Sequence, residues 1–400
     1  MAYESGLKIL YIDTYTLAAQ EGGVPSSDAI GYGLTSSQAI QRELVRRGVH
    51  VTFIGGASDC SGRSSRHRRV RWIAERYAEI SDTLAASPPD LIFLFHAFTV
   101  FPAEIRRILL DLGLSIPMVG YTHGSHWDPT DTFRFDRYPG LEILDLANLH
   151  SLDRVLVVSK YMRDTLVRSL QDFNAGLGES ITAKIRVVGL PIDIELIERY
   201  RTAERSARPT VVFNHAPISS KNPSLFVRVM DSVMRRYPIN VLFTRRFSKG
   251  DPGEEAVQAL AQRFRERVVL GNDMSVPDYY CALWRSDLQV STATHESLGI
   301  ATLEAMCTEN CCILPRLGSY PEICEQHPDV LYGYGEEQLE TRICYFLEHP
   351  RHRERVAAEL ARMAKRYEPA RVMDDILAVF AEFSELTKLT ESTANTKPNP

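Results

Sequence analysis

Residues 287–317 read DLQVSTATHESLGIATLEAMCTENCCILPRL. The apolar runs at Asp287 to Val290 and at 311–317 have the length of buried strands, whereas Leu298 to Met306 has the length and residue types of a helix. A helix that connects two such strands allows them to lie parallel in one sheet, with the helix packed on its face. This segment therefore predicts an α/β fold.

The same alternation of short apolar runs and helix-period segments continues along almost all 400 residues. In the first half the strand candidates are Lys8 to Ile12, Val49 to Gly55, Asp90 to His96, Pro117 to Thr122, Arg154 to Val158 and Lys184 to Val188. In the second half they lie within residues 209–215, 239–246, 267–272, 287–293 and 311–317. The helix candidates are Ser36 to Arg47, Ser224 to Arg236, Glu254 to Arg265, Val276 to Trp284, Leu298 to Met306, Glu336 to Leu347, His352 to Tyr367 and Val372 to Leu386.

A Gly/Pro turn divides these two series. Residues 187–193 read VVGLPID, a strand that runs into the turn, and a highly charged stretch follows before the next apolar run. We predict a Rossmann-like domain at residues 1–190 and a second one at 191–369, then a helix at 370–387 that can pack back on the first domain, and a disordered tail at 388–400. Two doubly wound domains of this kind face a central cleft, where α/β proteins place their ligands.

Composition excludes some classes of protein. The net charge of −5 comes from 46 basic and 51 acidic residues, which argues against a protein wholly devoted to coating nucleic acid but leaves a local basic face open. No run of about 18 apolar residues appears, so no membrane span is expected, and the N-terminus lacks a signal-peptide pattern. We therefore expect a cytoplasmic protein. The seven cysteines form no CxxC pair, which predicts reduced thiols and no zinc site.

Within the opening segment, Glu296 and Glu304 stand eight positions apart with Gly299 between them, an E-x7-E pattern. Glu296 precedes the helix and can face the cleft, while Glu304 lies one to two turns inside. The backbone N–H groups of Leu298 to Ala301 form the positive helix end, which can bind an anionic diphosphate without a metal. Such a spacing is more often a solvated helix face. The apolar neighbours predict burial instead, and a buried carboxylate needs a partner or ligand.

These residues resemble the retaining glycosyltransferases of family 4, which have the two-domain GT-B fold. The resemblance is strong from about Asn214 to Ile323 and weak before Gly120. It implies that the first domain binds an acceptor and the second a nucleotide sugar, with Glu296 beside the transferred sugar and Glu304 on the ribose. It also implies retention of configuration by a front-face mechanism without a protein nucleophile. No DxD motif stands in a supporting context, so neither a metal nor another cofactor is expected.

The resemblance also assigns a cationic clamp for the donor diphosphate. Lys221 occupies the position of the family's lysine, and Arg245 and Arg246 follow the next strand, with Lys249 close behind. The family usually has an arginine a few residues before the lysine. Here that place reads Asn214, His215 and Ala216, so Arg245 or His215 is expected to make the missing phosphate contact.

In the first domain, the sequence YTHGSHWD follows a strand and places His123 and His126 in a loop. The family keeps a histidine near the sugar at about this position, so we expect His123 first, His126 second and His96 third. A lone loop histidine is as often structural. Gly22 and Gly23 stand where the family uses a Gly-Gly to admit donor phosphate or acceptor, although a lone Gly-Gly is a weak signal.

The second domain also resembles the tRNA-queuosine mannosyltransferase type, through residues 291–305, 320–323 and 331–339. This resemblance suggests GDP-mannose or a UDP-sugar as donor and tRNA as acceptor. A basic cluster next to His67 and Trp72 fits an RNA backbone, but equally a solvated loop or an acidic small substrate. Its members are Arg63, Arg66, Arg68, Arg69 and Arg71.

Three functions remain open from the sequence. The first is the retaining, metal-independent glycosyltransferase, which transfers a sugar to a hydroxyl or nitrogen of tRNA, of a small nucleoside or of a secondary metabolite. The second is a nucleotide-sugar epimerase or phosphorylase, because the same architecture hosts those reactions. The third is a non-catalytic sugar-nucleotide-binding protein. The E-x7-E pattern and Lys221 favour the first function.

Overall fold

The computed structural model describes residues 6–13, 32–55, 66–97, 102–124, 127–131, 140–272 and 274–394. The first half forms one parallel sheet of six strands, in the order β2-β1-β3-β4-β5-β6. Its strands match the six predicted positions and are β1 (Lys8–Asp13), β2 (His50–Gly55), β3 (Leu91–Leu94), β4 (Met118–Thr122), β5 (Arg154–Val157) and β6 (Ile185–Val187).

Helices connect these strands. The first of them begins at Tyr32, four residues before the predicted start, and ends at Arg46. It packs Ile40 and Leu44 into the core, and Gly48, with a φ of +76°, turns the chain after its end. The connecting helices are α1 (Tyr32–Arg46), α2 (Arg66–Ala86), α3 (Pro102–Asp111), α4 (Leu141–Ser151), α5 (Lys160–Phe173) and α6 (Ala175–Thr182). Helix α7 (Ile194–Arg199) follows β6 and leads into the second sheet.

The second half forms another parallel six-stranded sheet, in the order β12-β11-β10-β7-β8-β9. Five strands lie where the sequence predicts them, and β12 was not predicted because two residues carry no periodicity. The strands are β7 (Thr210–Phe213), β8 (Asn240–Phe243), β9 (Val268–Leu270), β10 (Leu288–Val290), β11 (Cys311–Pro315) and β12 (Leu331–Tyr332). The helices are α8 (Pro223–Arg236), α9 (Glu254–Phe264), α10 (Val276–Arg285), α11 (Ile300–Cys307), α12 (Tyr320–Ile323), α13 (Glu336–Glu348), α14 (Pro350–Ala364) and α15 (Pro369–Ala394).

The strand order of the second sheet brings two distant loops together. β7 pairs with β8 on one side and with β10 on the other, so the chain leaves β7 and β10 in opposite directions across the sheet. Such a switch point leaves a crevice at the carboxyl ends of the strands. The loops that follow β7 and β10 carry Lys221 and Glu296, and both therefore border this crevice.

The last helix returns to the first half of the chain. Phe380 of α15 is buried and meets Phe93 of β3 edge-on, with ring centroids 5.4 Å apart. Glu382 forms ion pairs with Arg154 and Arg186, which lie on β5 and β6. The sequence predicts the helix end at residue 387, whereas the backbone is helical to Ala394. The first sheet is thus completed by a segment that lies more than 180 residues later in the chain.

The structure also bears on the expected absence of a membrane span, on the cysteines and on the domain boundary. No helix among the described residues is long and apolar enough to cross a bilayer. Six of the seven cysteines lie in the described part and all six are free thiols, whereas Cys60 lies outside it. The boundary at residue 190 falls in the segment between the two sheets, and the domain limits stay a prediction.

We predict that Phe380→Ala lowers the free energy of unfolding of the first sheet by about 3 kcal/mol or more, because it removes a buried aromatic ring from the contact with Phe93. Hydrogen exchange at the amides of β3 and β5 measures this stability. The matched control is Asp374→Ala on the same helix, whose exposed carboxylate pairs with Arg47. This variant should cost less than about 1 kcal/mol. Equal losses for the two variants would contradict the role of the ring contact.

Candidate active site

A cavity of about 570 Å³ opens between the two sheets, beyond the carboxyl ends of their strands. This volume is typical of a small-molecule site. The first half of the chain contributes Thr35, His123, Gly124, Asp131, Val158 and Leu190 to its wall. The second half contributes Asn214, His215, Ala216, Ile218, Ser220, Lys221, Arg245, His295, Glu296, Ser297, Leu298, Gly299, Ile300, Ala301 and Glu304.

An ion pair joins the two loops at the switch point. The Nζ atom of Lys221 lies 2.7 Å from Oε2 of Glu296, and only 14% and 12% of the two side chains are exposed. Tyr320 donates a further hydrogen bond of 3.2 Å to the same oxygen. Burial raises the pKa of Glu296, but the charge and hydrogen bond of Lys221 outweigh burial, and the pKa lies below its usual value. Glu296 is therefore an anion at neutral pH.

Close contacts that require glycine hold the backbone of the loop after β10, which carries Glu296. Gly299 has a φ of +90°, and a Cβ atom there would lie 3.2 Å from Cε1 of Tyr320. Gly318 packs against the Glu296 carbonyl oxygen, which also accepts a hydrogen bond of 3.1 Å from the amide of Ser319. Helix α11 begins directly after Gly299, so its amino end, with the amides of Ile300 and Ala301, borders the cavity.

Glu304 is buried deeper in the same wall. Tyr279 donates to its Oε2 at 2.7 Å and Tyr280 to its Oε1 at 3.0 Å. Burial raises the pKa of Glu304 more than these hydrogen bonds and the nearby Arg245 lower it. The Arg245 guanidinium lies over the Tyr279 ring, 5.6 Å from its centroid, and faces the cavity. One carboxylate and one cation therefore share this end of the site.

His215 stands where the resemblance to family 4 leads us to expect an arginine, and only 2% of it is exposed. The Nε2 atom of its ring lies 3.0 Å from the side-chain amide of Gln289. Burial, followed by the charge of Lys221, lowers the pKa of His215 to about 3. The site thus has a neutral imidazole where an arginine would bring a positive charge.

On the opposite wall, His123 borders the cavity and its Nε2 donates a hydrogen bond of 2.5 Å to the carbonyl oxygen of Phe95. Burial lowers the pKa of His123 to about 4. The His96 ring lies 4.5 Å away, centroid to centroid, but is not part of the cavity wall. His123 is therefore better placed than His96 to meet a ligand.

Comparison with solved structures identifies this arrangement. Sucrose-phosphate synthase from Thermosynechococcus elongatus shares 13% identity at a TM-score of 0.72, over 95% of this chain and 100% of that one. The chain has a GT-B fold. A HepE protein from Anabaena in complex with UDP shares 15% identity at a TM-score of 0.61, over 94% and 100% of the two chains. A putative UDP-N-acetylglucosamine 2-epimerase from Listeria monocytogenes shares 14% identity at a TM-score of 0.58, over 95% of this chain and 98% of that one.

A family model narrows the relationship for part of the chain. Residues 35–196 match the model described as Glycosyltransferase Family 4. The matched region lies mainly in the first GT-B domain and begins at Thr35, whereas we expected the resemblance to be strong from about Asn214 to Ile323 and weak before Gly120. No curated protein matches the chain.

Some expected residues do not reach this GT-B cavity or lie outside the described residues. Arg246 is exposed and is not part of the cavity wall, because the backbone after β8 turns Arg245 inward in its place. Gly22, Gly23, Arg63 and His126 lie outside the described residues, as do the side chains of the remaining cluster arginines. The backbone places those arginines, Arg66, Arg68, Arg69 and Arg71, in the first two turns of α2, which excludes the solvated-loop interpretation for them.

The sequence did not reveal which residues join the two GT-B domains. Nδ1 of His295 lies 2.9 Å from the hydroxyl of Thr130 and 3.4 Å from the Asp128 carboxylate, and its Nε2 lies 3.6 Å from Asp131. Beside it, the Ser159 hydroxyl donates to the carbonyl oxygen of Ser297 at 2.6 Å. The loop that carries Glu296 is thus also the loop that contacts the first domain. The paired aspartates in WDPTD were the available signal.

A second set of contacts across the cleft involves Glu322. Its carboxylate accepts hydrogen bonds of 2.9 to 3.3 Å from the amides of Lys160 and Tyr161, at the amino end of α5. A carboxylate at a helix amino end is favourable because it meets unsatisfied N–H groups and the positive end of the helix dipole. These bonds hold α5 of the first domain against α12 of the second.

The described residues also bear on metal binding. Among them, no three His, Cys, Asp or Glu side chains are grouped as a metal site would require. That the protein needs no divalent metal stays a prediction. It assigns neutralisation of the diphosphate charge to the cationic groups of Lys221 and Arg245, which border the cavity.

We predict that the two glutamates respond to pH with opposite sign. The pKa of Glu304 is raised by folding, so its contribution to stability is present below the unfolded value of about 4.5 and is lost as pH rises through the folded pKa. The pKa of Glu296 is lowered, so its contribution is present above about 4.5 and is lost as pH falls. Calorimetric melting temperatures from about pH 3 to pH 7 check this against the neutral variants Glu304→Gln and Glu296→Gln. Parallel pH profiles for the two variants would contradict it.

Proposed function

We propose that this chain is a retaining, metal-independent glycosyltransferase that takes a sugar from a nucleotide-sugar donor. The observation that carries the proposal is the convergence, at one switch point, of the Lys221–Glu296 pair, Arg245, Glu304 and the amino end of α11 on one cavity. Positive groups and a helix end suit a diphosphate, and carboxylates suit the hydroxyl groups of a sugar and a ribose.

Each residue has a role in this proposal. Lys221, Arg245 and the α11 amides stabilise the charge that develops on the leaving diphosphate. Glu296 uses its Oε1 atom, which accepts no hydrogen bond from the described residues, for a hydroxyl of the transferred sugar. Glu304 accepts from the ribose hydroxyls at the Arg245 end of the cavity. His123 lies beside the sugar as a neutral imidazole.

The chemical step needs no protein nucleophile. The bond between the anomeric carbon and the diphosphate oxygen breaks, and the acceptor oxygen attacks from the same face. The leaving phosphate oxygen takes the proton of the acceptor hydroxyl, so that atoms and charge balance. The pairing of Glu296 with Lys221 supports this assignment, because a carboxylate already paired with an ammonium group is a weak nucleophile.

We propose two classes of nucleotide sugar as candidate donors. The matched HepE structure contains UDP, which makes UDP-sugars the first donors to test. The similarity of the second domain to the tRNA-queuosine mannosyltransferase type makes GDP-mannose the second. A shared fold does not separate transfer from epimerisation, since a putative epimerase has the same architecture.

We predict that Glu296→Ala lowers turnover by about 100-fold or more while the protein stays folded, because the carboxylate acts on the sugar as the bond breaks. The melting temperature without ligand should fall, since the variant leaves the largely buried Lys221 without its ion-pair partner. Release of UDP or GDP from the sugar nucleotide, with an acceptor present, measures turnover. The control is Glu337→Ala, an exposed glutamate on α13 away from the cavity, which should behave as wild type. Near-normal turnover of the Glu296 variant would remove its role.

The same assay separates the competing functions. Incubation of the wild-type protein with UDP-N-acetylglucosamine alone should yield no epimer. An epimerised product would replace the proposal with an epimerase, and nucleotide-sugar binding without turnover across nucleoside, tRNA and small-molecule acceptors would replace it with a binding protein.

For the acceptor we propose tRNA, with a small nucleoside or secondary metabolite as the alternative outcome. The first two turns of α2 carry four arginines. The resemblance that the sequence of the second domain suggested to tRNA-queuosine mannosyltransferases is the second ground for this proposal. Arginines neutralise backbone phosphates and release bound counterions, so RNA binding through them must weaken as salt rises.

We predict that replacing Arg66, Arg68 and Arg69 together with Gln weakens tRNA binding and reduces the slope of log affinity against log salt by about 2 to 3, or roughly one for each lost phosphate contact. Filter binding at several salt concentrations measures both. The matched control replaces Arg351 and Arg355 on α14, on the second domain. An unchanged slope for the triple variant would favour a small acceptor.

A further inference from the structure

A buried chain of hydrogen bonds runs behind the cavity wall, and its donors and acceptors can be assigned one after another. It begins at the carbonyl oxygen of Ala301, which can only accept. The Asn214 amide nitrogen lies 2.7 Å from that oxygen and 3.1 Å from the Tyr279 hydroxyl, whose own proton goes to Glu304. The orientation of the Asn214 amide is therefore fixed, with its oxygen pointing the other way.

That orientation determines the next residue. The Asn214 oxygen lies 3.3 Å from Nε2 of Gln289, so Gln289 must present its NH2 group there. A reversed amide would put two carbonyl oxygens against each other. The same Nε2 lies 3.0 Å from Nε2 of His215, and its second proton points to the ring. Gln289 is fully buried on strand β10, so water cannot substitute for either contact.

The ring of His215 must then accept at Nε2. A neutral imidazole carries one proton, and if Nε2 accepts, the proton is on Nδ1. The His215 ring borders the cavity, and within the described part of the chain its Nδ1 donates to no protein group. The positively charged form is disfavoured, because burial and the nearby Lys221 hold the pKa of His215 at about 3.

We propose that Asn214 and Gln289 are positioning residues that hold His215 as its Nδ1–H tautomer, so that it donates one uncharged hydrogen bond to a phosphate oxygen of the donor. This inference rests on the proposed function for the identity of the ligand, but the assignment of the tautomer does not. His215 then replaces the family's arginine with a neutral donor. One hydrogen-bond network thereby links the phosphate end of the site to Glu304 at the ribose end.

The tautomer can be measured without any ligand. In the full-length protein labelled with 15N-histidine, long-range proton–nitrogen correlation spectra distinguish a protonated ring nitrogen from an unprotonated one. The signals of His215 are identified by their loss in His215→Asn. We expect Nδ1 protonated and Nε2 unprotonated at neutral pH. A ring protonated at Nε2, or at both nitrogens, would overturn the proposal whatever the protein binds.

Gln289→Glu tests the positioning role directly. A carboxylate at this site can only accept from the ring, so Nε2 of His215 should become protonated in the same spectra. An unchanged spectrum in a folded variant would show that Gln289 does not set the tautomer. If this buried substitution prevents folding, the two His215 variants below decide the proposal.

Nucleotide binding tests the direction of the hydrogen bond. His215→Asn places an amide donor close to the former Nδ1, whereas His215→Gln places it close to the former Nε2. Isothermal titration with UDP and with GDP should show His215→Gln binding at least about tenfold more weakly than His215→Asn, as expected for a lost hydrogen bond to a charged phosphate. Equal weakening in both variants would overturn the proposal. If neither nucleotide binds the wild-type protein, the proposed function fails, and the spectra still decide the tautomer.

Discussion

The Lys221–Glu296 ion pair is the interaction on which the candidate site depends. It joins loops that are separated by 75 positions in sequence and that meet only because β7 and β10 are neighbours in the sheet. A largely buried lysine or glutamate alone would be unfavourable, whereas the pair is stabilised by its short contact. The pair fixes the glutamate as an anion and holds the lysine at the cavity that the amino end of α11 also borders.

The loop after β10 has two tasks in this structure. It carries Glu296 at the cavity, and its neighbours His295 and Ser297 contact the first domain. A change in the position of this loop must therefore alter the contact between the domains, and the reverse also holds by thermodynamic linkage. Outside the cavity, Glu322 of the second domain adds a further contact with the first domain. A ligand that contacts Glu296 would therefore be coupled to the contact between the two domains through a few adjacent residues.

The sequence predicted the elements well and the internal contacts poorly, and the reason is physical. Strands and helices follow local hydrophobic period, so the strands on either side of Glu296 could be located from the opening segment alone. Which of Arg245 and Arg246 faces the cavity depends on the twist of the backbone after β8, which no local pattern encodes. Gln289 was a usable signal of a buried hydrogen-bond network, because a polar residue inside an apolar strand needs a buried partner.

The return of α15 to the first sheet affects how the protein is made. Synthesis is vectorial, and domains usually begin to fold as they leave the ribosome. Here the side of the first sheet that Phe380 covers stays open to solvent until residue 380 has been translated, because Phe93 has no contact with this ring before then. The nascent amino-terminal half therefore exposes apolar surface for the whole time that the second half takes to emerge. A chaperone can bind this exposed surface during that interval.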